Sequence, residues 1–456
     1  MTRRAVWLDR AEVLFQSLFL IVGFLQYSSL TADLKIISYV QWPTLALGGV
    51  LVLLRLWRWK CYVKTPGLWL LLAFALSYAI SSVVNLKYGW YENFRFLVFL
   101  GFQIVLLFPY DGSRELSSAF SRWEKAGWLF LAGTGLLSLL SFVFFFAGYV
   151  KIMKQENGPY YHIGFANGRL FGAYWDPNIA AVMAVMASVL AFYFILKYRA
   201  LWLRILLGIS IFLQLMYIEF SDSRTGKVCL AVAVLVAGYL CMLRRNRDMK
   251  AWRQHLLACV VAVATAVVVL LTVTAGGKLY NAVVAAAGPS SSQSQVGDKE
   301  LGREGDVASD VSNRRFDIWE SAFDLFKTTP VVGTSHGNIV PYAEENLPDT
   351  YILTNDHMVF YTMHNVFVDV MVSQGAVGLL LFLSAGVWIF AAILRRMRAL
   401  LYGEHGYAVA LAFAIAVTAV ASSLFMTELV YVITPLTLLF WISVGALAHA
   451  ASRTDR

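Results

Sequence analysis

The chain has 456 residues, of which 59% are hydrophobic, 15% are aromatic and only 14% are charged. This composition excludes an ordinary soluble globular protein and predicts a polytopic membrane protein. The formal net charge of +9 indicates membrane topology and contact with anionic lipid rather than nucleic-acid binding. Arg3 and Arg4 precede a long apolar segment without a small-residue cleavage site, so we expect a first span that is retained.

Apolar runs long enough to cross a membrane follow one another along the chain. They lie near residues 12–30, 36–57, 66–85, 93–109, 127–149, 177–197, 201–220, 225–243, 255–275, 376–394, 406–426 and 428–448. The sequence therefore predicts an all-α polytopic membrane protein with about twelve transmembrane helices.

The basic residues predict the orientation of these spans. Most of the 37 Lys and Arg residues lie in alternate connections, the richest being residues 244–253. Because Lys and Arg mark the cytoplasmic ends of membrane helices, we expect both termini in the cytoplasm.

That orientation leaves one long segment outside, residues 276–363, between a first block of nine helices (1–275) and a last block of three (364–456). It carries twelve acidic against six basic residues. Within it, Ser312 or Asn313 can cap an amphipathic helix that Pro330 and Gly333 would end. Its apolar stripe is Phe316, Trp319, Phe323 and Phe326, and we expect the helix to lie at the membrane surface.

Polar residues concentrate on the outer side in four places: 167–178, 221–226, 312–319 and 363–365. Each is also compatible with an ordinary loop at the end of a span. Arg224 argues against that interpretation because it stands at the amino end of a helix, where the helix dipole disfavours a cation. An anion bound at the same place would explain it.

His364 begins a polar helix face that continues through Asn365 and Asp369. Taken alone, it is compatible with an interfacial histidine exposed to water. A metal site formed by Asp356, His357 and His364 is an alternative, although a seven-residue spacing of histidines is a poor ligand signature.

Four short patterns occur in a fixed order between residues 167 and 380. They are Arg169, Gly172, Asp176 and Asn178; then Ser223, Arg224 and Gly226; then Arg315, Trp319, Pro330 and Gly333; then His364, Asn365, Gly375 and Gly378. Together with the span count and the long outer segment, they resemble the O-antigen ligase and O-antigen polymerase superfamily.

This resemblance implies a GT-C-like fold and a metal-independent, inverting-type glycosyltransferase without a cofactor. The implied donor is a glycan on undecaprenyl pyrophosphate, and the implied location is the outer face of a bacterial cytoplasmic membrane. His364 matches the family's histidine, which acts as general base or orients the acceptor hydroxyl. Arg224 and Arg315 match arginines that hold the donor pyrophosphate.

Other residues take secondary places in the same hypothesis. Arg169 and Arg314 are further candidates for pyrophosphate binding. Asp176 and Asp369 can orient the base or an arginine, and Asn365 and Ser223 are supporting residues. Arginines that hold the leaving pyrophosphate would make a metal ion unnecessary, and a neutral imidazole can accept a hydroxyl proton at neutral pH.

The acceptor distinguishes two forms of this reaction. A polymerase transfers to another lipid-linked repeat unit, with a chain-length regulator as a further partner, and a ligase transfers to a lipid A-core sugar. The acidic, Ser-rich stretch before Arg314 favours a polymerase. A twelve-helix transporter is an alternative of a different class, although it would need charged sites near the middle of the spans, where charges are scarce.

Overall fold

The computed structural model describes residues 3–31, 34–154, 160–287, 301–302, 314–355 and 358–453. Helices dominate these ranges, as the composition predicts. They are α1 (Arg3–Tyr27), α2 (Ile36–Trp57), α3 (Leu68–Val84), α4 (Tyr91–Phe102), α5 (Leu116–Ala147), α6 (Pro177–Lys197), α7 (Leu201–Phe220), α8 (Arg224–Arg245), α9 (Ala251–Ala287), α10 (Arg315–Thr328), α11 (Ile339–Asn346), α12 (Tyr351–Thr354), α13 (Val366–Tyr402), α14 (Gly406–Ser422) and α15 (Pro435–Arg453).

Every predicted span overlaps one of these helices. Among the described residues, eight helices are long and apolar enough to cross a membrane, namely α2, α5, α6, α7, α8, α9, α13 and α15. Helices α3 and α14 are shorter apolar helices. The structure therefore supports a polytopic helical membrane protein, and the total of about twelve spans stays a prediction.

The end of the chain differs from the predicted spans 406–426 and 428–448. Helix α14 ends at Ser422 and α15 begins only at Pro435, a residue suited to the first helical position because its missing N–H needs no partner there. The irregular connection 423–434 is mostly buried among helices, and Trp441 donates a hydrogen bond to the carbonyl oxygen of Leu429 at 2.9 Å. Irregular backbone is compatible with a membrane protein where the surrounding protein satisfies its polar groups.

A three-stranded antiparallel sheet follows α5, and the sequence analysis did not predict it. Its strands are β1 (Lys151–Lys154), β2 (Tyr160–Ala166) and β3 (Arg169–Gly172), in the order β1-β2-β3. Asn167 and Gly168 join β2 to β3 with positive φ angles of 52° and 68°. An Asn-Gly pair at that position is a strong hairpin signal, so this part of the 167–178 cluster is a turn.

Helix α10 confirms the predicted helix after residue 312, but its packing face differs from the predicted stripe. The buried residues are Ile318, Ser321, Ala322 and Leu325. Phe316 and Phe323 are 68% and 50% exposed. The two candidate caps, Ser312 and Asn313, lie outside the described residues. Trp319 and Phe326 are partly buried against neighbouring apolar residues, so only Phe316 and Phe323 of the predicted stripe face outward. The position of this helix at the membrane surface stays a prediction.

Helix α13 is interrupted at Gly375, where φ is 63°. The segment 330–335 packs across this break and pairs with the backbone groups that the break leaves without helical partners. Ala376 donates to the carbonyl oxygen of Pro330 at 2.8 Å, and Thr334 donates to that of Val372 at 2.9 Å. The Pro330 and Gly375 of the sequence patterns therefore shape the start of the spanning part of α13.

Gly333 provides a test of this packing. Its φ is 70°, and a Cβ atom would lie 2.4 Å from the backbone nitrogen of Gln374. Gly333→Ala should lower the free energy of unfolding, with on the order of 1–3 kcal/mol from the backbone conformation alone and more from the clash. Thermal unfolding of the purified protein in detergent measures this loss of stability.

Gly386→Ala is the matched control, since Gly386 lies on α13 and its Cβ would have no heavy atom within 4 Å. It should leave the unfolding temperature unchanged or raise it slightly, because Ala favours helix over Gly. Equal unfolding temperatures of the two variants would contradict the close packing at Gly333.

Candidate functional site

A cavity of about 570 Å³ lies where the N-terminal ends of α6, α10 and α13 meet the 423–434 connection. Its charged and imidazole side chains are Asp176, Arg314, Arg315, His364 and Glu428. Three of the four polar clusters of the sequence therefore meet at one place, although they are distant along the chain.

His364 lies in the loop immediately before α13, and two contacts fix the residue that precedes it. Oδ1 of Asp369 accepts a hydrogen bond from the N–H of Met363 at 2.8 Å, and the indole nitrogen of Trp319 donates to the carbonyl oxygen of Met363 at 2.9 Å. The His364 ring meets the Phe360 ring edge-on, with centroids 5.8 Å apart. These contacts hold a half-buried imidazole at the cavity wall.

The surroundings of His364 favour its neutral form. Burial lowers the pKa of the ring below the ordinary value of 6.5. The positive charge of Arg315 lowers this pKa further, whereas the negative charge of Asp176 opposes the shift. The imidazole is therefore uncharged at neutral pH and can accept a proton.

Three arginines lie at or beside the cavity. Arg315, the first residue of α10, is half-buried with its guanidinium 5.8 Å from the centre of the Phe425 ring. Burial lowers the pKa of Arg315, and the nearby positive charge of Arg224 adds to the effect. Arg314 also lines the cavity and is exposed. Arg224 is the exposed first residue of α8 and is not part of the cavity lining. This concentration of positive charge suits an anion.

Asp176, Ser223 and Asn365 begin α6, α8 and α13 as N-caps. Their side-chain oxygens accept hydrogen bonds from backbone N–H groups of the first turns at 2.6, 3.0 and 2.9 Å respectively. Such caps stabilise a helix by about 1 kcal/mol each. Part of each polar cluster thus has a structural role, and Asp176 additionally faces the cavity.

Arg169 does not belong to the cavity lining. Its buried guanidinium donates to the carbonyl oxygen of Ser221 and to Oδ1 of Asn178, both at 2.8 Å. These contacts join β3 to the end of α7 and to the start of α6. Arg169 therefore holds the walls of the site together, and the geometry gives no support to the predicted contact with pyrophosphate.

Glu428 is a cavity residue that the sequence analysis did not select. It is 2% exposed, and Thr434 donates a hydrogen bond to its carboxyl oxygen at 2.7 Å. Burial raises the pKa of Glu428 to about 8, so its carboxyl group is mostly neutral at pH 7. The sequence signal that could have identified Glu428 is that it is a lone acidic residue between two apolar runs.

Two of the three residues of the alternative metal site, Asp356 and His357, lie outside the described residues. Within the described part of the chain, no group of three or more His, Cys, Asp or Glu side chains is placed to hold a metal ion. Another histidine near this end, His336, is buried against the Tyr431 ring at a centroid distance of 4.4 Å and is not among the residues lining the cavity.

One region of the chain matches a known protein family. Residues 209–383 match the family model described as O-antigen ligase. The matched region contains Arg224, Arg315, His364 and Asp369. No curated protein matches the chain. The match confirms the resemblance found in the sequence and supports glycan transfer in O-antigen biosynthesis by a membrane protein.

The electrostatic environment of His364 predicts opposite effects of two substitutions. Asp176→Asn should lower the pKa of the His364 ring, because it removes a negative charge while an asparagine can still cap α6. Arg315→Gln should raise the same pKa, because it removes a positive charge. The pH dependence of ring modification by diethyl pyrocarbonate, followed by mass spectrometry of the His364 peptide, measures both shifts.

Asp324→Asn is the control for charge removal, since Asp324 lies on α10 and pairs with Lys327 at the surface. It should leave the pKa of His364 unchanged. Shifts of the same sign for Asp176→Asn and Arg315→Gln would contradict the described placement of the two charges.

Proposed function

We propose that this chain is a metal-independent, inverting-type glycosyltransferase of the O-antigen ligase and polymerase superfamily, and the match of residues 209–383 to the O-antigen ligase family model supports this proposal. It moves a glycan from undecaprenyl pyrophosphate to a sugar hydroxyl at the outer face of the bacterial cytoplasmic membrane. The observation that carries this proposal is that the uncharged imidazole of His364 shares one cavity with Arg314 and Arg315.

The arginines hold the pyrophosphate of the donor. A guanidinium donates two parallel hydrogen bonds to phosphate oxygens and keeps its charge at any physiological pH. The cavity also receives the N-terminal ends of α6, α10 and α13, whose first-turn N–H groups carry partial positive charge. Arg315 and Arg314 contact the phosphates directly, and Arg224 adds positive charge from the side.

An apolar groove beside the cavity accommodates the first isoprene units of the donor. It has a volume of about 280 Å³ and includes Phe367, Phe382, Leu429 and Trp441 in its lining. Leu429 adjoins Glu428 of the cavity, and Phe367 lies in the first turn of α13, three residues after His364. An apolar chain gains free energy by leaving water for such a surface.

His364 acts as general base in the transfer. Its ring takes the proton of the acceptor hydroxyl while the hydroxyl oxygen forms a bond to the anomeric carbon of the donor. The bond between that carbon and the pyrophosphate oxygen breaks, and undecaprenyl pyrophosphate leaves with the bonding electrons. The arginines stabilise the negative charge that develops on the leaving group, as a metal ion does in other enzymes.

Glu428 contributes a neutral hydrogen-bond donor. A carboxylate would repel the pyrophosphate, whereas a protonated carboxyl group adds no negative charge to the cavity. Its O–H can donate to a phosphate oxygen of the donor. The buried contact with Thr434 fixes the carboxyl group for this purpose.

A polymerase is the favoured form of the reaction, with a second lipid-linked repeat unit as the acceptor and a chain-length regulator as a further partner. The acidic, Ser-rich stretch before Arg314 supports this choice. In the alternative form, a ligase, the acceptor is a lipid A-core sugar. The same donor site serves both, because the two reactions differ only in the acceptor.

His364→Ala tests the proposal. The variant should fold normally, because a half-buried ring at a loop contributes little to the core, but it should transfer glycan about a hundredfold to ten-thousandfold more slowly. The assay is the elongation of a purified undecaprenyl-pyrophosphate repeat unit without nucleotide sugar and with EDTA present.

Tyr361→Ala is the control, since Tyr361 lies in the same loop, is 60% exposed and is not among the residues that line the cavity. It should keep most of the activity. Wild-type rates for His364→Ala would refute the role of the imidazole as base. Activity that EDTA removes and a divalent cation restores would refute the metal-independent mechanism.

A further inference from the structure

Tyr431, in the connection 423–434, has an unusual backbone conformation. Its φ angle is 67°, in the left-handed region that a bulky residue rarely adopts. Arg314 and His364, two residues of the cavity lining, adopt the same region with φ angles of 63° and 50°. Such conformations cost free energy and persist where the surrounding structure enforces them, often at functional sites. Tyr431 is not among the described residues that line the cavity, so it can act there only through another residue.

The chain reverses its direction around Tyr431. Thr434, three residues later, donates a hydrogen bond at 2.7 Å to the carboxyl group of Glu428, three residues earlier. Thr437 donates to the carbonyl oxygen of Glu428. The two ends of the segment 428–434 therefore meet, and a positive φ angle is a common way for a short segment to turn back.

The hydroxyl group of Tyr431 fixes this turn to a distant part of the chain. It accepts a hydrogen bond from Nε2 of Gln374, whose Oε1 accepts one from the hydroxyl of Ser77 on α3. Gln374 directly precedes the break in α13 at Gly375. Tyr431 and Gln374 are both buried, and a buried polar group that loses its partner is costly. The turn is therefore held against α13 and α3.

The ring of Tyr431 makes a second contact. It stacks on the imidazole of His336, with centroids 4.4 Å apart and 14° between the ring planes. Burial lowers the pKa of His336 to about 3, so this imidazole is uncharged at physiological pH and serves as a packing partner. Nδ1 of His336 lies 3.3 Å from the hydroxyl oxygen of Ser373, the residue before Gln374. The hydroxyl and the ring of Tyr431 thus reach the same part of α13 by two routes.

We propose that Tyr431 is a positioning residue for Glu428. Its contacts with Gln374 and His336 fix the turn in the connection 423–434. This turn brings the Thr434 hydroxyl to the Glu428 carboxyl group and holds that group at the cavity wall. The inference rests on the proposed function, in which Glu428 donates a hydrogen bond to a phosphate oxygen of the donor. Loss of the Tyr431 hydroxyl therefore weakens pyrophosphate binding through Glu428.

Binding of undecaprenyl pyrophosphate to the purified protein in detergent, measured by calorimetric titration, tests the proposal. Tyr431→Phe removes the hydroxyl and keeps the ring, and it should weaken binding about threefold to tenfold. In the Glu428→Ala background the same change should weaken binding less than about twofold, because the group that Tyr431 positions is absent. Gln374→Met removes the other partner of this hydrogen bond and should reproduce both results.

Tyr78→Phe is the matched control. Tyr78 is buried, its ring lies 5.2 Å from the Tyr431 ring, and its hydroxyl donates to Oδ1 of Asn93 at 2.8 Å. The control variant removes a buried hydroxyl from the same aromatic group without touching the connection 423–434. It should lower the unfolding temperature about as much as Tyr431→Phe does, but it should change lipid affinity less than about twofold.

Equal losses of affinity from Tyr431→Phe in the wild-type and Glu428→Ala backgrounds would overturn the positioning role. A Tyr431→Phe variant that binds like the wild type, or one that loses no more affinity than Tyr78→Phe, would overturn it as well. A wild-type protein that does not bind undecaprenyl pyrophosphate would instead overturn the proposed function, so the two failures are distinguishable.

Discussion

The carboxyl group of Asp369 is the group on which the geometry of the candidate functional site depends. It is fully buried, and its two oxygens accept hydrogen bonds from the N–H of Met363 and from the hydroxyl of Thr427. One oxygen thus fixes the loop that carries His364, and the other fixes the connection that carries Glu428. An unsatisfied buried donor costs about 1–3 kcal/mol, so both segments are held strongly.

The site is built where helices begin or break. Asp176, Ser223 and Asn365 cap α6, α8 and α13, and Gly375 interrupts α13, whose free backbone groups at the break pair with residues 330–335. A membrane protein must satisfy each of these groups internally, because lipid offers no hydrogen bonds. The same requirement explains why short polar patterns recur at span ends and why they come together in space.

Sequence patterns identified most of the helices, because apolar runs of membrane length leave few alternatives to a transmembrane helix. They also selected Arg315 and His364, because each stands in a polar cluster at a helix start, and the structure places both at one cavity. The β2–β3 hairpin was not predicted, although Asn167 and Gly168 are a hairpin signal, because the cluster 167–178 was interpreted only as a group of polar residues.

Other features depend on packing, which a single sequence does not reveal. The buried face of α10 runs through Ile318 and Leu325 rather than through Phe316 and Phe323. Arg169 is used inside the protein, and Glu428 enters the cavity only because α15 starts late, at Pro435. Tyr431 meets Gln374 and His336 only in the folded chain, since no local pattern connects these three segments.

The central claim of the proposed function is that the arginines of the cavity that contains His364 recognise the pyrophosphate of the donor. Direct measurement of undecaprenyl pyrophosphate binding to the wild type, to Arg315→Lys and to Lys327→Ala tests it most directly, since Lys327 is a surface residue on the same helix. The account predicts binding weakened roughly tenfold or more by Arg315→Lys and unchanged by Lys327→Ala. Equal affinity of all three proteins would contradict it.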